Sequence, residues 1–137
     1  MSETDNGSTI DRADVELRLP ADGAFVSVLR TTTAGLAARL DFTIDDIEDL
    51  RIAVGEASAM VLPQADHGSD LLCEFRLSPR KLTISVGVSA HGAPEPDYDS
   101  FAWQVLTTLA SSASLDTSDG RFVVTLTMQA GPPGAVV

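Results

Sequence analysis

Two alternating apolar runs joined by a short polar segment constrain the fold of this chain more than any other feature. The apolar positions are Leu71, Cys73, Phe75 and Leu77 in the first run and Leu82, Ile84, Val86 and Val88 in the second. Successive side chains of a β-strand point to opposite faces, so this period of two predicts a pair of half-buried strands. The intervening segment SPRK, residues 78–81, is typical of a hairpin turn and makes the two strands antiparallel.

Apolar residues nearer the start of the chain recur with the periods of one strand and two helices. A strand is predicted by the alternation of Val15, Leu17 and Leu19. A first helix is predicted over about residues 22 to 40, with an inner face formed by Phe25, Val28, Leu29, Leu36 and Leu40. Thr43 is a typical cap for a second helix, because Asp46 stands at the third helical position.

The rest of the chain predicts one more helix and two more strands. The helix SFAWQVLTTLAS has a predicted inner side at Phe101, Val105, Leu106 and Leu109, and strands follow near Leu115 and over RFVVTLTM. The order β-α-α-β-β-α-β-β predicts a two-layer α/β sandwich, a mixed and largely antiparallel sheet with the helices on one face. We expect a single domain over residues 13–129, with disordered tails at 1–12 and 130–137.

Composition excludes several classes of function. With 20 acidic and 9 basic residues the net charge is −11, which opposes direct binding to nucleic acid and is compatible with a positively charged protein partner. No run approaches the ~20 apolar residues of a membrane span, and no signal peptide opens the chain, so we expect a cytoplasmic protein. Cys73 is the single cysteine and there are two histidines, so we expect neither a disulfide nor a metal site.

One charged residue of the second helix has an unusual position. In LRIAVGEASAMVLPQA, residues 50–65, the core-facing stripe comprises Ile47, Leu50, Val54, Ala57 and Val61. Glu56 lies off that stripe, on a second face that also carries Ile52 and Met60, one turn before and after it. A carboxylate on such a face either borders a cleft or lies at a partner surface, although an ordinary exposed glutamate also fits.

The element order and three local strings resemble the ATP-binding domain of the GHKL superfamily. Within it, the chain most resembles small bacterial anti-sigma factors that double as serine kinases, and the resemblance covers about residues 13–129. The strings are DLRIAVGEASAMVL, which is similar to the family's N-box helix, SFAWQVLTTLA, similar to the helix after the ATP lid, and RFVVTLTM, similar to the closing strand. The resemblance implies that Glu56 is the catalytic glutamate, which orients or deprotonates the nucleophile.

Several positions that hold Mg-ATP in the family differ here. These cofactor-binding positions are Met60, Ala90, Gly92, Pro94, Ser100 and Ala102. Met60 replaces an asparagine that helps to hold Mg²⁺, and a thioether is a poor ligand for a hard cation. Ala90 replaces the aspartate that accepts the adenine amino group, while Gly92 is kept. Pro94, Ser100 and Ala102 replace glycines, so we expect Mg-ATP to bind weakly or not at all.

The resemblance also implies partners. It predicts an anti-sigma factor that sequesters an alternative sigma factor, acts as a homodimer and is countered by a STAS-type anti-anti-sigma protein. The candidate partner contacts are Asp22, Ser27 and Arg30 at the start of the first helix, with Arg30 expected to point outward. Two alternatives remain open: an active serine kinase that phosphorylates the STAS antagonist, and a repurposed GHKL-like domain that serves another protein complex.

Overall fold

Five antiparallel strands and three helices form the two layers of the computed structural model, which describes residues 12–92 and 95–130. The elements are β1 (Val15–Pro20), α1 (Val26–Arg39), α2 (Ile44–Val61), β2 (Asp70–Ser78), β3 (Lys81–Ser89), α3 (Phe101–Leu109), β4 (Ser112–Asp116) and β5 (Arg121–Gln129). This order and the α/β sandwich confirm the predicted fold. The predicted tails fall mainly on residues 1–11 and 131–137, which lie outside the described residues.

The sheet has the order β1-β2-β3-β5-β4, and all four of its described strand pairings are antiparallel. The predicted hairpin is present, because Ser78 of β2 pairs with Lys81 of β3 across a two-residue turn. Within this turn Arg80 adopts a left-handed backbone conformation, with φ of 59°. The described helices include none that is long and apolar enough to cross a bilayer.

The core lies between one face of the sheet and the helices. The predicted alternation holds, because the sheet residues that face the helices are buried in every central strand, as Phe75, Ile84 and Leu126 illustrate. On α2 the predicted stripe is also confirmed, since Leu50, Val54, Ala57 and Val61 are fully buried. Thr43 caps this helix as predicted: its Oγ1 accepts a hydrogen bond from the Asp46 N–H at 3.1 Å.

The inner face of α1 differs from the prediction. The buried residues are Val26, Leu29, Thr33 and Ala37, whereas the predicted Phe25 and Val28 are 37% and 41% exposed. The sequence pattern misses this face because Thr33 is polar. Its hydroxyl is satisfied inside the helix by donating to the Leu29 carbonyl at 2.8 Å, so it can be buried against α2.

The inner face of α3 differs from the prediction, because Val105 and Leu109 are only partly buried and line a surface depression together with Phe101. Phe101, predicted to be internal, is 76% exposed, whereas Leu106 is fully buried. Five residues of an α-helix correspond to about 140° of rotation, so the two side chains cannot share a face. Trp103 packs partly against the core instead.

Candidate functional site

Successive turns of α2 border two different depressions. A groove of about 380 Å³ between α1 and α2 is lined by Arg30, Glu48, Arg51, Ile52 and Glu56. A cleft of about 260 Å³ beside the start of α3 is lined by Ala59, Met60, Pro63, Gln64, Glu95, Asp97, Ser100, Ala102 and Phe122. Glu56 and Met60 are four residues apart, yet the first lines the groove and the second lines the cleft.

Arg30 lies across α2 in the groove. A Cβ atom placed on Gly55 would be 2.6 Å from the Arg30 Nη2 and 3.1 Å from its Nε. Arg30 is accordingly half-buried, which corrects the prediction that it points outward from α1. The helical pattern places Arg30 beside the buried Leu29, at the border with α2, and Gly55 leaves space there for a guanidinium.

The charges of the groove are only partly neutralised. Arg51 and Glu48 form an i,i+3 pair with 3.9 Å between the arginine Nε and the glutamate Oε2, and both side chains are exposed. Among the described residues Arg30 has no carboxylate within 4.0 Å, and neither does Glu56 have a cation within that distance. With Ile52 48% exposed beside them, the groove offers a cation, an anion and an apolar surface to a partner.

The described lining of the cleft is acidic. Its described lining includes the carboxylates of Glu95 and Asp97 and contains no basic side chain. A triphosphate placed there would meet charges of its own sign. Met60 supplies a thioether where a hard divalent cation prefers oxygen ligands. The described lining therefore offers no cation to a triphosphate.

The backbone at the start of α3 is engaged in its own hydrogen bonds. Ser100 caps the helix, because its Oγ accepts a hydrogen bond from the Trp103 N–H at 3.1 Å. Asp97 accepts one from the Asp99 N–H at 3.0 Å. Tyr98 meets Trp103 edge-on with 5.2 Å between ring centroids. These contacts give Ser100 a structural role at the start of α3.

The predicted adenine-contacting positions are not brought into the cleft. Ala90 is 4% exposed and belongs to the core, and its N–H donates to the Gly120 carbonyl at 2.8 Å. Gly92 is exposed, and a Cβ added there would meet nothing within 4 Å, so this glycine serves no close approach. Pro94 lies outside the described residues.

A histidine–aspartate pair fixes the end of β3. The His91 Nδ1 lies 2.6 Å from the Asp66 Oδ2, and the His91 N–H donates to Oδ1 at 3.1 Å. The side-chain hydrogen bond is the main reason why the pKa of Asp66 is below its ordinary value. The imidazole also lies against Gly120, where φ is +69° and a Cβ would come within 2.5 Å of the ring.

The other predicted partner contacts lie at the beginning of α1. Asp22 caps a single 3₁₀ turn, Gly23–Phe25, through its Oδ1, which accepts from the Ala24 N–H at 2.9 Å. Ser27 is exposed three residues before Arg30, so the two lie on neighbouring parts of one helix face. The structure thus brings Arg30 and Glu56 to one groove, whose described lining does not include Ser27.

Sequence reasoning missed Gly55 as a support for Arg30 and Glu95 and Asp97 as cleft residues. The available signal for Gly55 was its place inside a helix. Glycine destabilises a helix there, which suggests that another group packs closely against it. In the described part of the chain no three His, Cys, Asp or Glu side chains form a metal-binding group. Burial raises the pKa of Cys73 to about 12, so its thiol stays protonated and unreactive.

Comparison with known proteins identifies relatives over half of the chain. No family model matches it. The serine-protein kinase RsbW of Halalkalibacterium halodurans is 42% identical over 73 residues, which are 53% of this chain and 45% of the relative. The RsbW kinases of Bacillus thuringiensis and Bacillus anthracis are 35% identical over 74 residues, 53% of this chain and 46% of each relative. The match thus spans about half the length of these curated relatives.

Proposed function

We propose that this chain, a member of the GHKL-type family of anti-sigma factors and serine kinases to which these RsbW relatives belong, is an anti-sigma factor. In this proposal it sequesters an alternative sigma factor and releases it to a STAS-type anti-anti-sigma protein, and it binds Mg-ATP weakly if at all. One observation carries the proposal: the groove contains Arg30, which has no carboxylate partner among residues 12–92 and 95–130, while the described lining of the neighbouring cleft is acidic.

The charge of the chain supports a sigma factor as the partner. A protein that binds promoter DNA needs a basic face to neutralise phosphates, and a net charge of −11 complements such a face. Arg30 adds specificity, because a planar guanidinium pairs bidentately with a carboxylate of the partner. Ser27 and Asp22 extend the same surface toward the start of α1.

A serine kinase is the second candidate. Retention of Glu56 beside an accessible groove favours it, as do the names of the relatives. The acidic cleft and Met60 weigh against it, because phosphoryl transfer depends on a metal and cations that neutralise the developing charge. If phosphorylation of a STAS protein occurs, Glu56→Ala should abolish it without unfolding the domain.

The test is a binding panel. The full chain is immobilised, and the alternative sigma factors and STAS-domain proteins of its source organism are passed over it by surface plasmon resonance. We expect one sigma factor to bind with sub-micromolar affinity, as about −8 kcal/mol or better would give, and one STAS protein to displace it. Binding to none of the sigma factors would overturn the proposal and favour a repurposed domain.

Two further properties belong to the same proposal. We expect a homodimer, on the basis of the family resemblance, and a cytoplasmic location, where a sigma factor is encountered. Sedimentation velocity of the free chain over a range of concentrations tests the dimer, and a single monomeric species throughout would contradict it.

A further inference from the structure

We propose that Gly55 is a positioning residue for partner recognition, because its bare backbone is the surface on which the Arg30 guanidinium lies. The role in recognition rests on the proposed anti-sigma function, whereas the positioning itself does not. The inference depends on the geometry between α1 and α2.

The sequence context of Gly55 calls for an explanation. It lies in the interior of α2, where glycine is destabilising relative to alanine because of its backbone entropy. It shows no positive φ, so no unusual backbone conformation requires it. The remaining reason for a glycine is space, and that space is occupied by Arg30.

The distances show what an added methyl group would do. A Cβ on Gly55 would lie 2.6 Å from Nη2, 3.1 Å from Nε and 3.3 Å from Cζ of Arg30. Separations below 3 Å are too short for carbon and nitrogen, so one group must shift. The guanidinium is the far end of a flexible side chain, and it would move off the helix without disturbing the core.

A second helical glycine provides a matched control. Gly35 lies on α1, and a Cβ added there would meet nothing within 4 Å. Both Gly→Ala changes remove the same backbone freedom from a helix and add the same methyl group. Only the change at Gly55 displaces Arg30.

Holding the guanidinium in place affects both affinity and choice of partner. A side chain that is already ordered loses less entropy when it binds. Glu56 lines the same groove as Arg30 and would repel a second carboxylate of the partner. Ile52 offers an apolar surface to it. The groove therefore fits a partner segment that carries one carboxylate next to an apolar side chain.

The positioning is tested without any partner. Arginine side chains of the full chain are modified with phenylglyoxal, and the rate at Arg30 is read from peptide masses. We expect Gly55→Ala to raise that rate by roughly twofold or more, because the guanidinium leaves the helix surface, and Gly35→Ala to leave it unchanged. An equal rate in wild type and Gly55→Ala would overturn the inference.

The role in recognition is tested by a double-mutant cycle with the sigma factor that the binding panel identifies. We expect Gly55→Ala to weaken binding about two- to tenfold, and to have no effect in an Arg30→Ala background. A loss of the same size in both backgrounds would refute action through Arg30. If no sigma factor binds the wild-type chain, the proposed function fails, and the modification rates still decide whether Gly55 positions Arg30.

Discussion

The groove and the cleft adjoin the same helix one turn apart, and their chemistry is opposite. The groove combines Arg30 and Glu56, neither of which has an ion-pair partner in the described part of the chain, with a half-exposed isoleucine, Ile52. The cleft combines Met60 with two carboxylates. One region therefore presents both a cation and an anion, whereas the described lining of the other carries acids and no basic side chain.

The difference teaches that two positions which the family resemblance relates to one Mg-ATP site can lie in different surroundings. Glu56, which by that resemblance corresponds to the catalytic glutamate, lines an accessible groove. Four residues later, Met60 lines a cleft where Ser100 accepts a hydrogen bond from a backbone N–H of its own helix. We expect partner binding and nucleotide binding to respond separately to mutation.

The largest expected effect is the loss of nucleotide affinity. Each lost charge-assisted hydrogen bond costs about 1.5–3 kcal/mol, so two losses reduce affinity by roughly 100-fold or more. We expect a dissociation constant for Mg-ATP of about 1 mM or weaker by isothermal titration calorimetry. Met60→Asn restores one ligand only, and we expect it to gain less than about tenfold. Low-micromolar binding by the wild-type chain would remove the contrast between the two regions.

The next effect concerns the groove. We expect Arg30→Glu to weaken sigma-factor binding by at least about 2 kcal/mol, because the change removes an attraction and adds a repulsion. The melting temperature should change by no more than about 2 °C, since Arg30 has no carboxylate partner among the described residues. Both are measured on the purified variant, by surface plasmon resonance and by thermal unfolding.

Arg18→Glu is the matched control for that charge reversal. Arg18 lies on β1, away from the groove, with its side chain 62% exposed and 3.7 Å from Asp70. An exposed pair of this kind contributes little. Equal weakening by the two reversals would show that net charge, and not the groove, governs binding.

Most of the fold was predictable from the sequence because its signals are local. The alternation in β2 and β3, the SPRK turn and the Thr43 cap each depend on residues close together in the chain. The inner face of α1 was not predictable in the same way. Thr33 is buried there because its hydroxyl bonds to its own helix, which a count of apolar residues cannot register.

The candidate site was predictable in part. Met60, Ser100 and Ala102 line one cleft, whereas their relation to Mg-ATP stays a prediction. The position of Arg30 was not predictable, because it depends on how α1 packs against α2. Arg30 and Gly55 meet there although they are far apart in sequence. The acidic residues Glu95 and Asp97 likewise lie in a loop, which has no periodic sequence pattern from which their place in the cleft could be predicted.

A smaller effect is expected on the free energy of unfolding when each of the two helical glycines is changed to alanine. We expect Gly35→Ala to raise the free energy of unfolding by about 0.5–1 kcal/mol, because the alanine loses less backbone entropy and meets no neighbour. Gly55→Ala should gain less, since Arg30 must leave its position. Urea unfolding of the two variants measures the difference. Equal gains would show that the guanidinium loses no stabilising contact when it moves.

The smallest expected effect concerns the stability that the Asp66–His91 pair contributes at the end of β3. The hydrogen bond from His91 holds the pKa of Asp66 below its ordinary value of 3.8. A carboxyl with a lowered pKa stabilises the fold above its unfolded pKa and loses that contribution as the pH falls through the folded value. Asp66→Asn should therefore be less stable than wild type at pH 6, and the difference should shrink below about pH 4.

Urea unfolding midpoints between pH 6 and pH 2.5 measure this dependence for both proteins. The same substitution in a His91→Ala background is the control, because the imidazole is the first cause of the lowered pKa. We expect the pH-dependent difference to disappear there. If it persists, the contribution of Asp66 comes from its other contacts, such as the His91 N–H, which the alanine variant keeps. The backbone N–H of residue 91, and not the imidazole, would then account for the contribution of Asp66.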